Sequence, residues 1–403
     1  MTTTAFLEET PVPAQRLAQE LPPLITRPLL FRFVSIVGSS ASFYLPLSVV
    51  PLYAKSAGAG AGSGVATGVL LLTTVGVELL TPRLVARTGY RLALTLGLVC
   101  LGLPALALLA PPNLALTVAV SAIRGAGFAV VTVAGGTLTA SLIPPQRRGE
   151  GLALTGVVSG VPALACLPLG VWAAARWGFA PVFIATAATA LLALTAIPGL
   201  PDREAAGLDA EGSASTAGHG IRSALARPSL TRPAALFSAS TMAAGVLVTF
   251  LPLAITQRSA GVVTIALFAQ PAMSTLTRLA AGRFGDRHGH TLLLYPGIAL
   301  AAAGVAAIAA TGTPALVIGG AAVFGAGFGL LQNATLALMY AQTGRDGYDA
   351  VSAVWNAAYD AGMGVGAIGM GLVAGSLGYP VTFLVTAAIV LAALTLARGK
   401  VSR

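Results

Sequence analysis

Apolar residues in this chain gather into blocks of about twenty, separated by short stretches that hold most of the basic residues or a glycine–proline turn. A bilayer core of about 30 Å is crossed by about 20 apolar residues in a helix. Twelve blocks fit that length: residues 33–54, 63–81, 92–110, 114–138, 151–175 and 180–199, then 233–254, 260–281, 291–310, 314–341, 351–376 and 380–397. Residues 291–344 carry no charge yet are too long for one crossing, and Thr311-Gly312-Thr313-Pro314 supplies the turn that divides them. Leu377-Gly378-Tyr379-Pro380 divides the last stretch in the same way.

The pattern predicts an all-α membrane protein with twelve transmembrane helices in two pseudo-symmetric six-helix bundles. Residues 1–32 form an N-terminal leader, 33–199 the first bundle, 200–232 a linker, 233–397 the second bundle and 398–403 a tail. The linker opens with Pro201-Asp202-Arg203-Glu204 and contains Gly212-Ser213-Ala214-Ser215, with a short surface helix expected near 221–227. The leader holds Glu8, Glu9, Glu20, Pro11 and Pro13, which is not the pattern of a cleavable signal peptide. With both termini inside, only Lys55, Arg176 and Arg258 fall outside, while Arg83, Arg87, Arg91, Arg147, Arg148, Arg283, Arg287 and Arg345 collect on the inner side. That asymmetry predicts a multi-pass protein of the plasma (inner) membrane with cytoplasmic N- and C-termini.

Composition changes this picture little. The chain is 56% hydrophobic and 9% charged, where a soluble domain carries roughly 25% charged residues. The net charge of +10 does not come from a basic patch interleaved with aromatics, so no nucleic-acid partner is expected. Cys100 and Cys166 lie inside apolar blocks without metal spacing, and His219, His288 and His290 lie in loops. No catalytic constellation and no phosphate-binding GxxxxGK[ST] loop is present, so neither an enzyme nor an ATP-driven pump is expected. No metal or cofactor is expected either.

The two halves echo each other at an offset of two hundred. Arg87-Thr88-Gly89 matches Arg287-His288-Gly289, and Gly125-Ala126-Gly127-Phe128 recurs as Gly325-Ala326-Gly327-Phe328. Gly178-Phe179 and Phe183 recur as Gly378-Tyr379 and Phe383, and Thr186-Ala187-Ala188 as Thr386-Ala387-Ala388. A shared register at equivalent places in the span order indicates a parallel internal repeat, with a binding site at the interface of the halves.

The loop after the eighth block reads Gly282-Arg283-Phe284-Gly285-Asp286-Arg287-His288-Gly289. It resembles the GxxxDRxG signature of the major facilitator superfamily, with Gly282, Asp286, Arg287 and Gly289 in the gating-loop positions. The equivalent first-half loop keeps Arg87 and Gly89 but has Pro82 for the first glycine and Ala86 for the acid. Arg124 in the fourth block resembles an exporter-type arginine motif, with compressed spacing to glycine. The fifth block, with Gly156, Gly160, Pro162, Pro168 and Gly170, resembles an antiporter motif in which Leu167 stands where glycine is usual. Trp355-Asn356-Ala357-Ala358-Tyr359-Asp360-Ala361-Gly362 resembles a pattern of bacterial efflux-type members. The resemblance covers nearly the whole chain and implies alternating-access transport.

Three charges stand inside the blocks: Glu78, Arg124 and Asp360. A charge at the centre of a span costs at least about 2.5–3.5 kcal/mol, so each needs a partner or water. By helical rise Arg124 and Asp360 fall near the midplane, and Glu78 lies about 6 Å from the inner end of its span. Asp360 and Glu78 are the candidate proton-coupling carboxyls, with Arg124 biasing their protonation; the other reading is a static charge that fixes helix packing. Gln270, Gln332, Asn333, Asn356 and Tyr359 are candidates for a substrate cavity, or equally for bonds between helices. Gly362, Gly366, Gly371 and Gly375 read as close helix packing, and Trp172 and Trp177 as interface anchors.

These features predict a secondary transporter of small molecules, working as a monomer on the proton gradient, with export as the first reading. A proton-coupled importer and a non-transporting receptor or enzyme of the membrane are the alternatives.

Overall fold

The computed structural model describes residues 23–144, 147–202, 226–255, 260–343 and 348–397. All of the regular structure is helical: α1 (Arg27–Leu47), α2 (Val49–Ser56), α3 (Val65–Glu78), α4 (Thr81–Gly102), α5 (Leu114–Leu142), α6 (Arg148–Trp177), α7 (Phe179–Leu194), α8 (Pro228–Ala254), α9 (Ala260–His288), α10 (Leu294–Ile308), α11 (Pro314–Ala341), α12 (Tyr348–Ala392) and α13 (Leu394–Ala397). Among the described residues, ten helical segments are long and apolar enough to cross a membrane, and Gly62–Glu78 is a shorter apolar helix. Large apolar side chains such as Leu96, Leu192, Leu279 and Leu372 point outward from these helices, a surface suited to lipid. The chain is a multi-pass membrane protein.

Local chemistry sets the ends. Asn113 Oδ1 accepts from the Leu116 amide at 3.1 Å, which caps α5, and Pro314 begins α11 just past the expected turn. Pro46 removes an amide donor near the end of α1, and the chain breaks at Ser48 before α2 continues in the same segment. The 45 residues of α12 would extend about 68 Å as one straight helix, over twice a bilayer core. Gly378 interrupts it with φ 80° and ψ 169°, a conformation open to glycine.

That break has a counterpart at Gly178, with φ 82°, and Gly89 and Gly289 pair likewise at 78° and 91°. Packing follows the same offset. A β-carbon on Gly125 would strike the Leu70 carbonyl oxygen, and one on Gly325 the Gln270 carbonyl oxygen. Gly127 lies against the Gly97 carbonyl and the Leu101 amide, and Gly327 against the Gly297 carbonyl and the Ala301 amide. Close backbone approach through small residues is how helices associate where lipid removes most of the hydrophobic drive.

Residues 23–202 and 226–397 meet chiefly along α3 with α12 and α6 with α9. Gly64 packs on the Ala367 carbonyl, Gly68 on Ile368, and Gly364 on Leu72. Among the described residues, both hydrogen bonds between the two stretches lie at one end of the molecule. There Ser48 Oγ donates to the Val248 carbonyl at 2.8 Å and Lys55 Nζ to the Leu253 carbonyl at 3.3 Å.

Some boundaries differ from expectation. Helix α8 begins at Pro228, so residues 228–232 of the expected linker are helical; proline at the first position suits a helix start. The second expected block does not end its helical path near residue 81. The chain makes one turn at Leu79–Leu80, resumes as α4, and reverses only at Gly89. Glu78 therefore lies about 16 Å before that reversal, deeper than the expected edge position. Residues 1–22 of the leader, 203–225 of the linker with most of the expected surface helix, and the tail lie outside the described residues.

Candidate functional site

Asp360 lies in α12 with 8% of its surface exposed. Its carboxyl interacts electrostatically with Glu78 at the end of α3, across the seam between the two stretches. The hydroxyls of Tyr44 on α1 and Tyr359 on α12 are within electrostatic reach of Asp360 and of each other. Arg278 on α9 interacts in turn with Tyr359. Helices α1, α3, α9 and α12 thus bring two acids, two phenols and a guanidinium into one cluster.

Among the described residues, the acids have no basic neighbour at ion-pair range. The ion pairs found among the described residues are Arg147 with Glu150 at 2.6 Å and Asp286 with His290 at 3.5 Å, both away from this cluster. Like charges close together and shielded from bulk water repel strongly, so a pair of this kind is chemically suited to take up and release a proton.

Beside Tyr359 stands an aromatic wall. Phe237 of α8 stacks on Trp355 at 4.4 Å between centroids with 12° between planes, and on Phe328 of α11 at 5.9 Å. Phe328 meets Tyr359 at 6.2 Å. The Trp355 indole N–H donates to Thr335 Oγ1 at 3.1 Å, which fixes the plane of the ring. On α9, Gln270, Ser274 and Arg278 recur every four residues and so share a face. Ser274 Oγ donates to Gln332 Oε1 at 3.3 Å.

The remaining sequence candidates disperse. Asn356 lies one turn before Asp360 and is exposed. Asn333 has a buried, unpaired Oδ1, and its amide nitrogen lies beside Gly282 rather than in the cluster. Arg124 is buried but touches neither acid: its Nη2 donates to the Ser42 carbonyl at 2.8 Å.

In the loop motif, Asp286 has 78% of its side chain exposed and faces His290, and the Gly289 amide donates to the Gly285 carbonyl at 2.8 Å. Arg287 and Arg87 are exposed. In the first-half loop, where Ala86 replaces the acid, the Asp202 carboxylate lies against Gly89, and Arg91 Nε donates to the Leu200 carbonyl at 2.6 Å.

The sequence pattern did not single out Tyr44, Phe237, Phe328 or Arg278. The four-residue recurrence of Gln270, Ser274 and Arg278 was the available signal for Arg278; which aromatics converge depends on which helices meet.

A Major Facilitator Superfamily model matches residues 32–274 and 237–401. Among curated proteins, none matches the sequence. The fold is similar to that of a POT family transporter solved in complex with 5-aminolevulinic acid, with a TM-score of 0.73 at 12% identity, covering 92% of this chain and 95% of that one. It is likewise similar to the nucleoside transporter NupG, with a TM-score of 0.70 at 15% identity, covering 93% of this chain and 100% of that one. At these identities the likeness shows the fold.

Proposed function

This chain belongs to the major facilitator superfamily, and from that membership we propose that it is a proton-coupled exporter of a small molecule, working by alternating access. Membership makes it a transporter rather than an enzyme. The observation that supports the coupling is that Asp360 of α12 lies within electrostatic reach of Glu78 of α3, across the seam of the two halves.

In this reading the ten long segments, with the short helix at Gly62–Glu78 counted as a span and Val351–Ala397 counted as two, make twelve crossings in two six-helix bundles. The bundles are residues 33–199 and 233–397, joined by the linker at 200–232. The repeated packing at Gly125 and Gly325 supports the symmetry. The arginine-rich turns then face the cytoplasm with both termini, at the plasma membrane, and the end that holds Lys55 faces outward. The hydrogen bonds that join the halves then lie at their outer ends.

Rocking the halves changes how close α3 and α12 stand at the acids. Separation exposes them to water on one side, and approach returns them to each other. A proton taken up from outside and released inside would thereby accompany substrate moving outward. Phe237, Phe328 and Trp355 are buried and pack behind Tyr359, whose half-buried ring is the part of this cluster that a substrate with an apolar face would meet in this reading, with Gln332 near by on α11. The acids couple, and Tyr359 binds.

The test uses inside-out vesicles with an imposed proton gradient and a panel of planar apolar dyes. Gradient-driven uptake that Asp360→Asn removes supports the proposal. Uptake indifferent to the gradient, or unchanged in Asp360→Asn, defeats the coupling, and substrate driven in the opposite sense makes the protein an importer.

A further inference from the structure

Helices α3 and α9 hold equivalent places in the two halves. Gly125 packs on the Leu70 carbonyl and Gly325 on the Gln270 carbonyl, so the offset of two hundred holds in space as well as in sequence. Eight residues beyond those contacts each helix carries a charge, and the signs are opposite: Glu78 on α3 and Arg278 on α9. Both stand about 16 Å of helix before a reversal, at Gly89 and at Gly289.

Their surroundings are not equivalent. Helix α3 meets α12, and α9 meets α6. At the first seam Glu78 is within electrostatic reach of Asp360. On α6 the residue at the place of Asp360 is Gly160, and Gly156 takes the place of Asn356. Both glycines are exposed, and nothing lies within 4 Å of where their β-carbons would stand. The second seam thus has a cation on one side and open space where the first has an acid. Arg278 is exposed and, among the described residues, forms no hydrogen bond and no ion pair. Its electrostatic neighbour is the Tyr359 hydroxyl on α12, a neutral phenol, so it faces the cluster at the seam and not lipid.

A guanidinium inside a span needs a counter-charge or water, and its planar fork of N–H donors matches a carboxylate in two parallel bonds. Water hydrates the group, but only an anion balances it. Resting on the reading of this chain as a transporter, we propose that Arg278 binds the carboxylate of the transported molecule in the space beside Gly156 and Gly160, with the Tyr359 ring against its apolar body. The substrate class is then organic acids with an apolar body, and the substrate supplies the carboxylate that α6 lacks. Neither direction of transport is required for this site.

The experiment is equilibrium binding to the purified full-length protein with no gradient, read by thermal unfolding over concentration series of 2-naphthoate, benzoate and octanoate, each against its neutral amide. The acids are expected to raise Tm, and the amides to bind at least about tenfold more weakly, because the charge-assisted pair is lost. Arg278→Gln is expected to abolish that preference, and Arg278→Lys to keep part of it, having the charge without the fork. Gly160→Asp places on α6 the acid that α12 carries at 360; it is expected to occupy Arg278 and weaken acid binding, and it serves should Arg278→Gln fail to fold. No stabilisation by any of the acids would overturn the proposal. So would equal affinity for acid and amide, or a preference that survives Arg278→Gln or Gly160→Asp. A failure here leaves the gradient test with Asp360→Asn standing, and a failure of that test leaves acid binding at Arg278 intact.

Discussion

The Lys55 ammonium ties the end of α2 to the end of α8: it donates to the Leu253 carbonyl at 3.3 Å and lies 5.5 Å from the centre of the Tyr379 ring. One cation thus meets a helix C-terminus and an aromatic face that both belong to the other half. Each interaction is modest at an exposed site, with the ring contact contributing about 0.5–1 kcal/mol. Such an energy trims a two-state equilibrium without locking it. Lys55→Met keeps the apolar stem and removes the charge, so the conformer joined at this end is expected to lose about two- to fivefold in population. Spin labels at Ser56 and Gly261 read this as a second, longer distance peak that grows in the variant. An unchanged distance distribution would show that Lys55 is a bystander.

Asp360 and Glu78 make a different demand, because each shapes the charge state available to the other. Neutralising either one removes their mutual repulsion. Asp360→Asn and Glu78→Gln are therefore expected to be non-additive, the double variant behaving much like Asp360→Asn alone. For each single change, gradient-driven accumulation should fall at least about tenfold, while substrate exchange without a gradient persists because it needs no proton to be carried. Parallel loss of exchange and accumulation would instead make the pair a packing feature.

The fold was legible to the extent that bilayer thickness governs it. Block length, the charge-free run that required a turn before Pro314, and the glycine at 378 all follow from helical rise and from positive φ. Residues 228–232 fall within the expected linker, yet α8 already runs through them from Pro228 and buries Leu230. Within the site, Asp360 and Glu78 stood out as charges in apolar sequence. Tyr44 did not, since a tyrosine in an apolar block is ordinary until its hydroxyl is found within electrostatic reach of Asp360. The Ser42 carbonyl that receives Arg124 was likewise invisible, because every residue carries one.

Gly89 and Asp202 give a loop-level test of the same kind. Alanine at Gly89 meets two penalties: φ of 78° with ψ of 170°, a region essentially reserved for glycine that costs about 1–3 kcal/mol, and the Asp202 carboxylate 2.5 Å from where the β-carbon would stand. Gly178 has φ of 82° and nothing near its absent β-carbon. Gly89→Ala should therefore lower Tm more than Gly178→Ala, and combination with Asp202→Ala should recover the excess. If the two glycine variants melt together, the contact with Asp202 carries no energy.

The paired glycines at 125 and 325 offer a prediction whose sign distinguishes packing from helix propensity. Alanine is the better helix former by about 1 kcal/mol, so an unpacked helical glycine should be stabilised by the change. At Gly125 the new methyl would meet the Leu70 carbonyl, and at Gly325 the Gln270 carbonyl; a backbone oxygen cannot swing aside, and overpacking costs about 1–3 kcal/mol. Packing wins at both sites. Gly156 in α6 has no atom within 4 Å of its β-position and tests propensity alone. Thermal unfolding should therefore show Gly125→Ala and Gly325→Ala below the unaltered protein by similar amounts, and Gly156→Ala level with it or above. Unequal losses at the two paired sites would mean that the halves, alike in sequence register, do not share their packing energy.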